Sequence, residues 1–211
     1  MMRYTVYDYQ RSWDNIGLLD KLLDPVALAD KLETQIFGER DGDGARYWIP
    51  ALYLLAGNIV EAERSIERHF KTYLNEYTLF APEFITIALL VHVKKEKVIP
   101  VSGTGSKLLR RLMATNQYVI PLVLGTKINN KNISDSSNHS HYEYAASFPD
   151  WFYGLWNDED TKILSTMVNN VFNQSFAATW EKYRNELLNL RPGERRSLLI
   201  EERSYFLELM T

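Results

Sequence analysis

Apolar residues recur at three- and four-residue steps along most of this chain, which is the spacing of amphipathic helices. The clearest case follows Asn58, where apolar residues fall on one helix face and charged residues on the other. Asn58 itself is a good helix N-cap, because its side chain accepts hydrogen bonds from the free backbone N–H groups of the first turn. The pattern predicts a helix that begins after Asn58 and buries these residues: Ile59, Ala62, Ile66, Phe70 and Tyr73.

A second helix is predicted on the N-terminal side of the first. Trp48 and Leu52 belong to a broad apolar band that precedes Gly57. Glycine at this position is suited to the left-handed backbone conformation that ends many helices. The stretch 45–77 is therefore predicted to be a helical hairpin that turns at Gly57.

Four residues of this hairpin match the tetratricopeptide-repeat consensus: Tyr53, Gly57, Glu61 and Ala62. The stretch 45–77 resembles a single unit of that family, whose members stack such hairpins into peptide-binding grooves. The closing proline of the consensus is absent, and no second copy follows at the period of ~34 residues that the family uses. The resemblance implies a scaffold or adaptor, and the alternative is an ordinary helix pair.

Other segments predict further helices. Asp24 can cap a helix in which Pro25 takes the first position. The apolar run 84–93 predicts a buried helix, although its short length and β-branched residues leave a strand open. The fold class is all-α, either an irregular multi-helix bundle or a short stack of helical hairpins. The Asn- and Ser-rich stretch 127–141 predicts a long loop, so residues 1–211 form one helical domain or two helical halves that meet there.

Composition limits the chemistry. The absence of cysteine excludes disulfides, thiolate metal sites and cysteine nucleophiles. The first ten residues lack the apolar core of a secretory signal, and the longest apolar run is shorter than the ~20 residues of a membrane span. No serine nucleophile motif is present. These features predict a soluble cytoplasmic protein without a cofactor, and they disfavour an enzyme.

One short stretch is a candidate metal site, which would be an alternative function for this chain. His139, His141 and Glu143 alternate along the chain, so they would share one face of a strand and could chelate a divalent ion. On a helix, residues at this spacing do not share a face. The alternative is that these are surface side chains of a polar loop.

The segment 94–131 is basic, with eight bases and one acid in a chain of net charge −3. Two glycines precede Lys107, as in loops that bind phosphate at a helix N-terminus. The spacing of the phosphate-binding motif is not met, so the alternative is a flexible turn in which Thr104 or Ser106 caps the next helix. The candidate phosphate or nucleic-acid ligands are Lys107, Arg110 and Arg111.

The stretch 148–160 combines aromatic with acidic residues. Aromatic side chains dominate binding hot spots, and acids beside them favour a basic partner. The alternative is that the aromatics are core and the acids lie in the first turn of the next helix, where the macrodipole favours them. With the acidic turn at 39–43, this stretch supplies the predicted partner-binding residues: Trp151, Tyr153, Trp156, Asp158, Glu159, Asp160, Glu39, Asp41 and Asp43.

A protein-binding module agrees best with these features. A small, acidic, helical chain without catalytic motifs resembles the immunity proteins of bacteria, which act in the cytoplasm by occluding the surface of a toxin. The resemblance lies in composition and architecture. It implies that the partner is a protein, a basic toxin domain, and that neither a membrane nor nucleic acid is involved. The alternatives are a tetratricopeptide-like scaffold, and a phosphate- or nucleic-acid-binding protein that uses the segment 94–131.

Overall fold

The computed structural model describes residues 24–36, 45–72, 81–97, 103–126, 128 and 142–171. In this part of the chain 81% of the residues are helical and none lies in a strand, which confirms the all-α prediction. Nearly all of the long loop predicted at 127–141 lies outside the described residues. In the described ranges, no helix combines the length and the apolar character needed to cross a membrane.

The helices are named here in chain order. They are α1 (Pro25–Ile36), a 3-10 turn (Ala45–Trp48), α2 (Ile49–Leu55), α3 (Ile59–Thr72), α4 (Pro82–Glu96), α5 (Thr104–Thr115), α6 (Val119–Val123), α7 (Tyr142–Ala146), α8 (Asp150–Gly154) and α9 (158–171).

The chain packs as two compact units. The first comprises Met1–Thr78 with Pro149–Leu155, and the second comprises Leu79–Phe148 with Trp156–Thr211.

In the first unit, α1 begins as its sequence predicts. The Asp24 carboxylate accepts a hydrogen bond from the Val26 N–H at 2.9 Å, and Pro25 takes the first helical position, where its missing N–H costs nothing. Pro50 lies in the first turn of α2, where the backbone N–H groups have no partner within the helix.

The predicted hairpin is present as α2 and α3, which pack against each other. Gly57 adopts φ +75°, and its N–H donates to the Leu54 carbonyl at 2.9 Å. The Asn58 N–H donates to the Tyr53 carbonyl at 2.8 Å, which completes a Schellman C-cap. The Asn58 side chain then accepts from the Glu61 N–H at 3.3 Å and caps α3. Two adjacent residues thus end one helix and begin the next.

Polar contacts tie α1 to this hairpin. The Tyr53 hydroxyl donates to the Asp30 carboxylate at 2.6 Å, and burial together with this bond raises the pKa of Tyr53. Arg68 of α3 forms an ion pair with Glu33 of α1. The buried apolar core of the unit includes Leu28, Ala29, Ile49, Ala51, Leu52 and Ala62.

Replacing Gly57 with alanine is expected to destabilise the first unit by about 1 kcal/mol, because a side chain at positive φ strains the backbone. An added Cβ would meet no atom within 4 Å, so the effect isolates backbone strain from steric clash. Gly154→Ala is the matched control, since Gly154 also has open space around it but lies in α8 without a positive φ. Denaturant unfolding measures both changes, and equal free energies of unfolding for the two variants would contradict this account of the turn.

In the second unit, α4 settles the choice between helix and strand that the sequence left open. It is a helix that begins at Pro82 and is buried over most of its length. Helix α5 packs against α4 and contributes Leu109 and Leu112 to the core. Helix α6 ends at Val123, and Gly125, with φ +66°, forms the same type of C-cap as Gly57.

Candidate partner-binding site

Four aromatic side chains of the first unit form a cluster, called here the aromatic patch: Trp48, Trp151, Phe152 and Tyr153. The Trp48 ring contacts the edge of Phe152, with ring centroids 5.4 Å apart, and lies 6.3 Å from the Trp151 ring. Phe152 also meets Trp151 and Tyr153 edge to face, at 6.2 and 5.7 Å. Phe152 is completely buried, whereas the other three rings are half-buried and reach the surface.

The aromatic patch depends on how α8 begins. Pro149 has an extended backbone and its carbonyl accepts from the Phe152 N–H at 2.8 Å, which starts a helix of five residues. This short turn directs Phe152 into the core of the first unit and leaves Asp150 exposed beside Trp151 in sequence. Asp150 is thus an exposed acid that adjoins the aromatic patch in sequence.

The 3-10 turn that carries Trp48 also carries a cationic side chain, Arg46. The Arg46 guanidinium lies 4.9 Å from the centroid of the Tyr47 ring and donates a hydrogen bond to the Tyr47 hydroxyl at 3.0 Å. Both side chains are half-buried. Arginine, tyrosine and tryptophan are the residue types enriched in binding hot spots, so the turn extends the chemical character of the aromatic patch.

The rest of the predicted acidic stretch belongs to the second unit and divides into buried and exposed residues. Trp156 is only 6% exposed. Asp158 and Glu159 are exposed in the first turn of α9. Asp160 is buried and forms an ion pair with Lys94 of α4.

Asp160 is also half of a capping box. Its carboxylate accepts from the Asn157 N–H at 3.1 Å, and the Asn157 side chain accepts from the Asp160 N–H at 2.9 Å. The side chain of Asp160 is thus used within the fold, while Asp158 and Glu159 face solvent.

Several candidates from the sequence lie outside the described residues. These are Glu39, Asp41 and Asp43 of the acidic turn, and His139 and His141 of the metal alternative. Glu143, the remaining member of that alternative, is exposed on α7. Within the described ranges, no three His, Asp or Glu side chains are grouped so that they could hold a metal ion.

The basic candidates lie together on α5. Lys107 is exposed, and Arg110 and Arg111, three and four residues later, are half-buried. Burial lowers the pKa of Arg111. The prediction that Thr104 or Ser106 caps this helix is wrong, because the N-cap is Gly103 at φ +120° and no side chain caps the helix. Glycine adopts this backbone conformation without strain. Thr104 and Ser106 therefore lie inside the first turn of the helix instead of at its N-cap.

Sequence reasoning missed two features. It treated Trp48 as part of the hairpin core, although the concentration of interface residue types in Arg46, Tyr47 and Trp48 was a usable signal. It gave no role to Glu83, a buried carboxyl on α4 that accepts a hydrogen bond from Tyr144 of α7 at 3.0 Å. Comparison of the chain with protein-family models, curated proteins and solved structures finds no match.

Proposed function

We propose that this chain is a non-catalytic protein-binding module that neutralises a bacterial toxin in the cytoplasm by binding it and covering its surface. The observation that carries the proposal is the aromatic patch. Trp48, Trp151 and Tyr153 are half-buried side chains, and the buried Phe152 ring contacts all three. This is an arrangement suited to contact with another protein.

The aromatic patch is suited to binding because its rings are already ordered. A tryptophan or tyrosine ring buries a large area on contact and has few rotatable bonds. Edge-to-face contacts with Phe152 restrict those bonds before a partner arrives, at centroid distances of 5.4 to 6.2 Å. Less conformational freedom is then lost on association, so more of the contact energy appears as affinity.

The negative charge of the chain supports the proposal that its partner is basic. The chain carries a net charge of −3, and Asp150 is exposed beside Trp151. Asp158 and Glu159, the exposed acids of α9, are the second proposed contact region. Exposed acids speed the approach of a basic domain and set its orientation more than they add affinity. Asp160 is omitted from the proposed contacts because it pairs with Lys94 inside the second unit.

Capture from cells of the source organism tests this function. The full chain is immobilised as wild type and as the double variant Asp150→Lys with Tyr153→Ala. Wild type is expected to retain one stoichiometric protein that the variant loses. Expressed alone in a test strain, that protein is expected to arrest growth, and co-expression of the wild-type chain is expected to restore it.

The matched control is Glu143→Lys with Tyr142→Ala. It reverses an exposed acid and removes a half-buried tyrosine on another five-residue helix, α7, which belongs to the second unit. This control should retain the partner as wild type does. The proposal fails if no protein is retained, if both double variants lose it equally, or if the retained protein does not affect growth.

A further inference from the structure

Helix α5 of the second unit carries a row of three polar residues. Thr104, Lys107 and Arg111 follow one another at steps of three and four residues, which places them along one face of the helix. Thr104 and Lys107 are exposed, and Arg111 is half-buried. Residues four apart on a helix have their Cβ atoms about 5–6 Å from each other, so the two cations repel each other unless an anion lies between them.

No acid offsets the charge of these two cations. In the part of the chain that the structure describes, neither Lys107 nor Arg111 forms an ion pair. An exposed lysine is solvated by water, but the half-buried Arg111 is partly withdrawn from it, and this burial also lowers the pKa of Arg111. Because a charged group loses hydration on burial, an anion that donates no proton but accepts hydrogen bonds would recover part of that cost.

Other bases of the segment 94–131 already have partners. Lys94 forms an ion pair with Asp160, and Lys95 and Arg110 each take part in another interaction. The two cations of the α5 row are therefore a compact pair within a single helical turn. A pair of this size matches one phosphate group, whereas a nucleic-acid backbone is held by several bases that are spread over several phosphates.

The position of the pair on α5 also favours an anion. Side chains of an α-helix tilt towards its N-terminus, so Arg111 is expected to lean over the turn of Lys107, and Lys107 over the first turn. That first turn contains no acid, and no side chain caps it. The helix macrodipole adds partial positive charge there. Arginine offers a planar fork to two phosphate oxygens, and lysine adds a mobile point charge.

We propose that Lys107 and Arg111 bind the phosphate group of a small phosphorylated molecule. Arg111 donates hydrogen bonds to two phosphate oxygens, Lys107 neutralises the remaining charge, and the Thr104 hydroxyl is a further donor. The site belongs to the second unit, whereas the aromatic patch belongs to the first. It is therefore independent of the toxin-binding function proposed above.

Titration of the full chain with inorganic phosphate at constant pH and ionic strength, followed by the NMR shifts of backbone amides, tests the site. Wild type is expected to show saturable shifts in the amides of α5 and none in those of α3. Adenosine 5′-monophosphate, a simple phosphate monoester, should shift the same α5 amides. The Kd for phosphate should be ~10-fold weaker in Arg111→Gln, the usual effect of losing a hydrogen bond to a charged group. Absence of saturable α5 shifts with both probes would overturn the proposal.

Two exposed lysines separate a specific site from general charge attraction. Lys107→Gln removes a proposed ligand from an exposed position, so it tests the site even if Arg111→Gln does not fold. Lys162→Gln is the matched control, because it removes the same charge from an exposed position on α9. Lys107→Gln should weaken phosphate binding, and Lys162→Gln should bind as wild type does. Equal Kd values for the two lysine variants would contradict the site, as would α5 shifts that a single-stranded RNA oligonucleotide produces and both small probes do not.

Discussion

Replacing Asp160 with alanine is expected to destabilise the second unit by about 3 kcal/mol, the typical cost of removing one partner from a buried ion pair. The carboxylate is 6% exposed and its partner Lys94 is 24% exposed, so the lysine would be left without its anion in a largely dry site. The same substitution removes half of the capping box at Asn157, which adds about 1 kcal/mol. Urea unfolding followed by circular dichroism measures the loss.

Asp158→Ala is the matched control for this prediction. Asp158 lies in the same first turn of α9 but is exposed, so its removal should change the free energy of unfolding by less than about 0.5 kcal/mol. The pairing also predicts coupling, because Lys94→Met should cost less in the Asp160→Ala background than in wild type. Equal losses for Asp158→Ala and Asp160→Ala, or additive losses for the Lys94 and Asp160 substitutions, would be incompatible with a buried pair.

Replacing Phe152 with alanine is expected to destabilise the first unit by about 3–5 kcal/mol, the usual cost of truncating a buried phenylalanine. Phe152 is 0% exposed and its ring contacts three others, so the resulting cavity would remove support from the whole aromatic patch. Denaturant unfolding followed by tryptophan fluorescence reports on both effects, because Trp48 and Trp151 border the cavity.

Two variants bracket the Phe152 prediction. Phe152→Leu keeps most of the side-chain volume and should cost less than about 1.5 kcal/mol. Tyr153→Ala removes a half-buried ring from the same short helix and should cost less than Phe152→Ala, because less of that ring is withdrawn from water. If Tyr153→Ala proves as destabilising as Phe152→Ala, the aromatic patch is supported by a residue other than Phe152.

Helix boundaries were predictable where local chemistry determines them. Asp24 and Pro25 start α1, and Gly57 and Asn58 end α2 and start α3, because each signal acts within one helical turn. The start of α5 was not predictable in the same way. The sequence offered Thr104 and Ser106 as caps, but the helix begins at Thr104 with Gly103 as its N-cap.

The candidate site was predictable only in part, because it depends on contacts between distant residues. Trp151 and Tyr153 are conspicuous in a local stretch, but the sequence does not show that Trp48 packs against Trp151 and Phe152. The same holds for Asp160, whose partner Lys94 is 66 residues away, and for Glu83, whose partner is 61 residues away. Charge and aromatic content indicated candidate residues, and tertiary packing decided which of them are exposed.

The affinity of the captured protein for wild type and for Trp151→Ala is the most direct test of the aromatic patch as the binding surface. Titration calorimetry is expected to show a Kd at least ~30-fold weaker for Trp151→Ala, corresponding to the ~2 kcal/mol that defines a hot spot. Tyr142→Ala should bind as wild type does. A Kd for Trp151→Ala within about twofold of wild type, in a variant with an unchanged circular dichroism spectrum, would contradict the account.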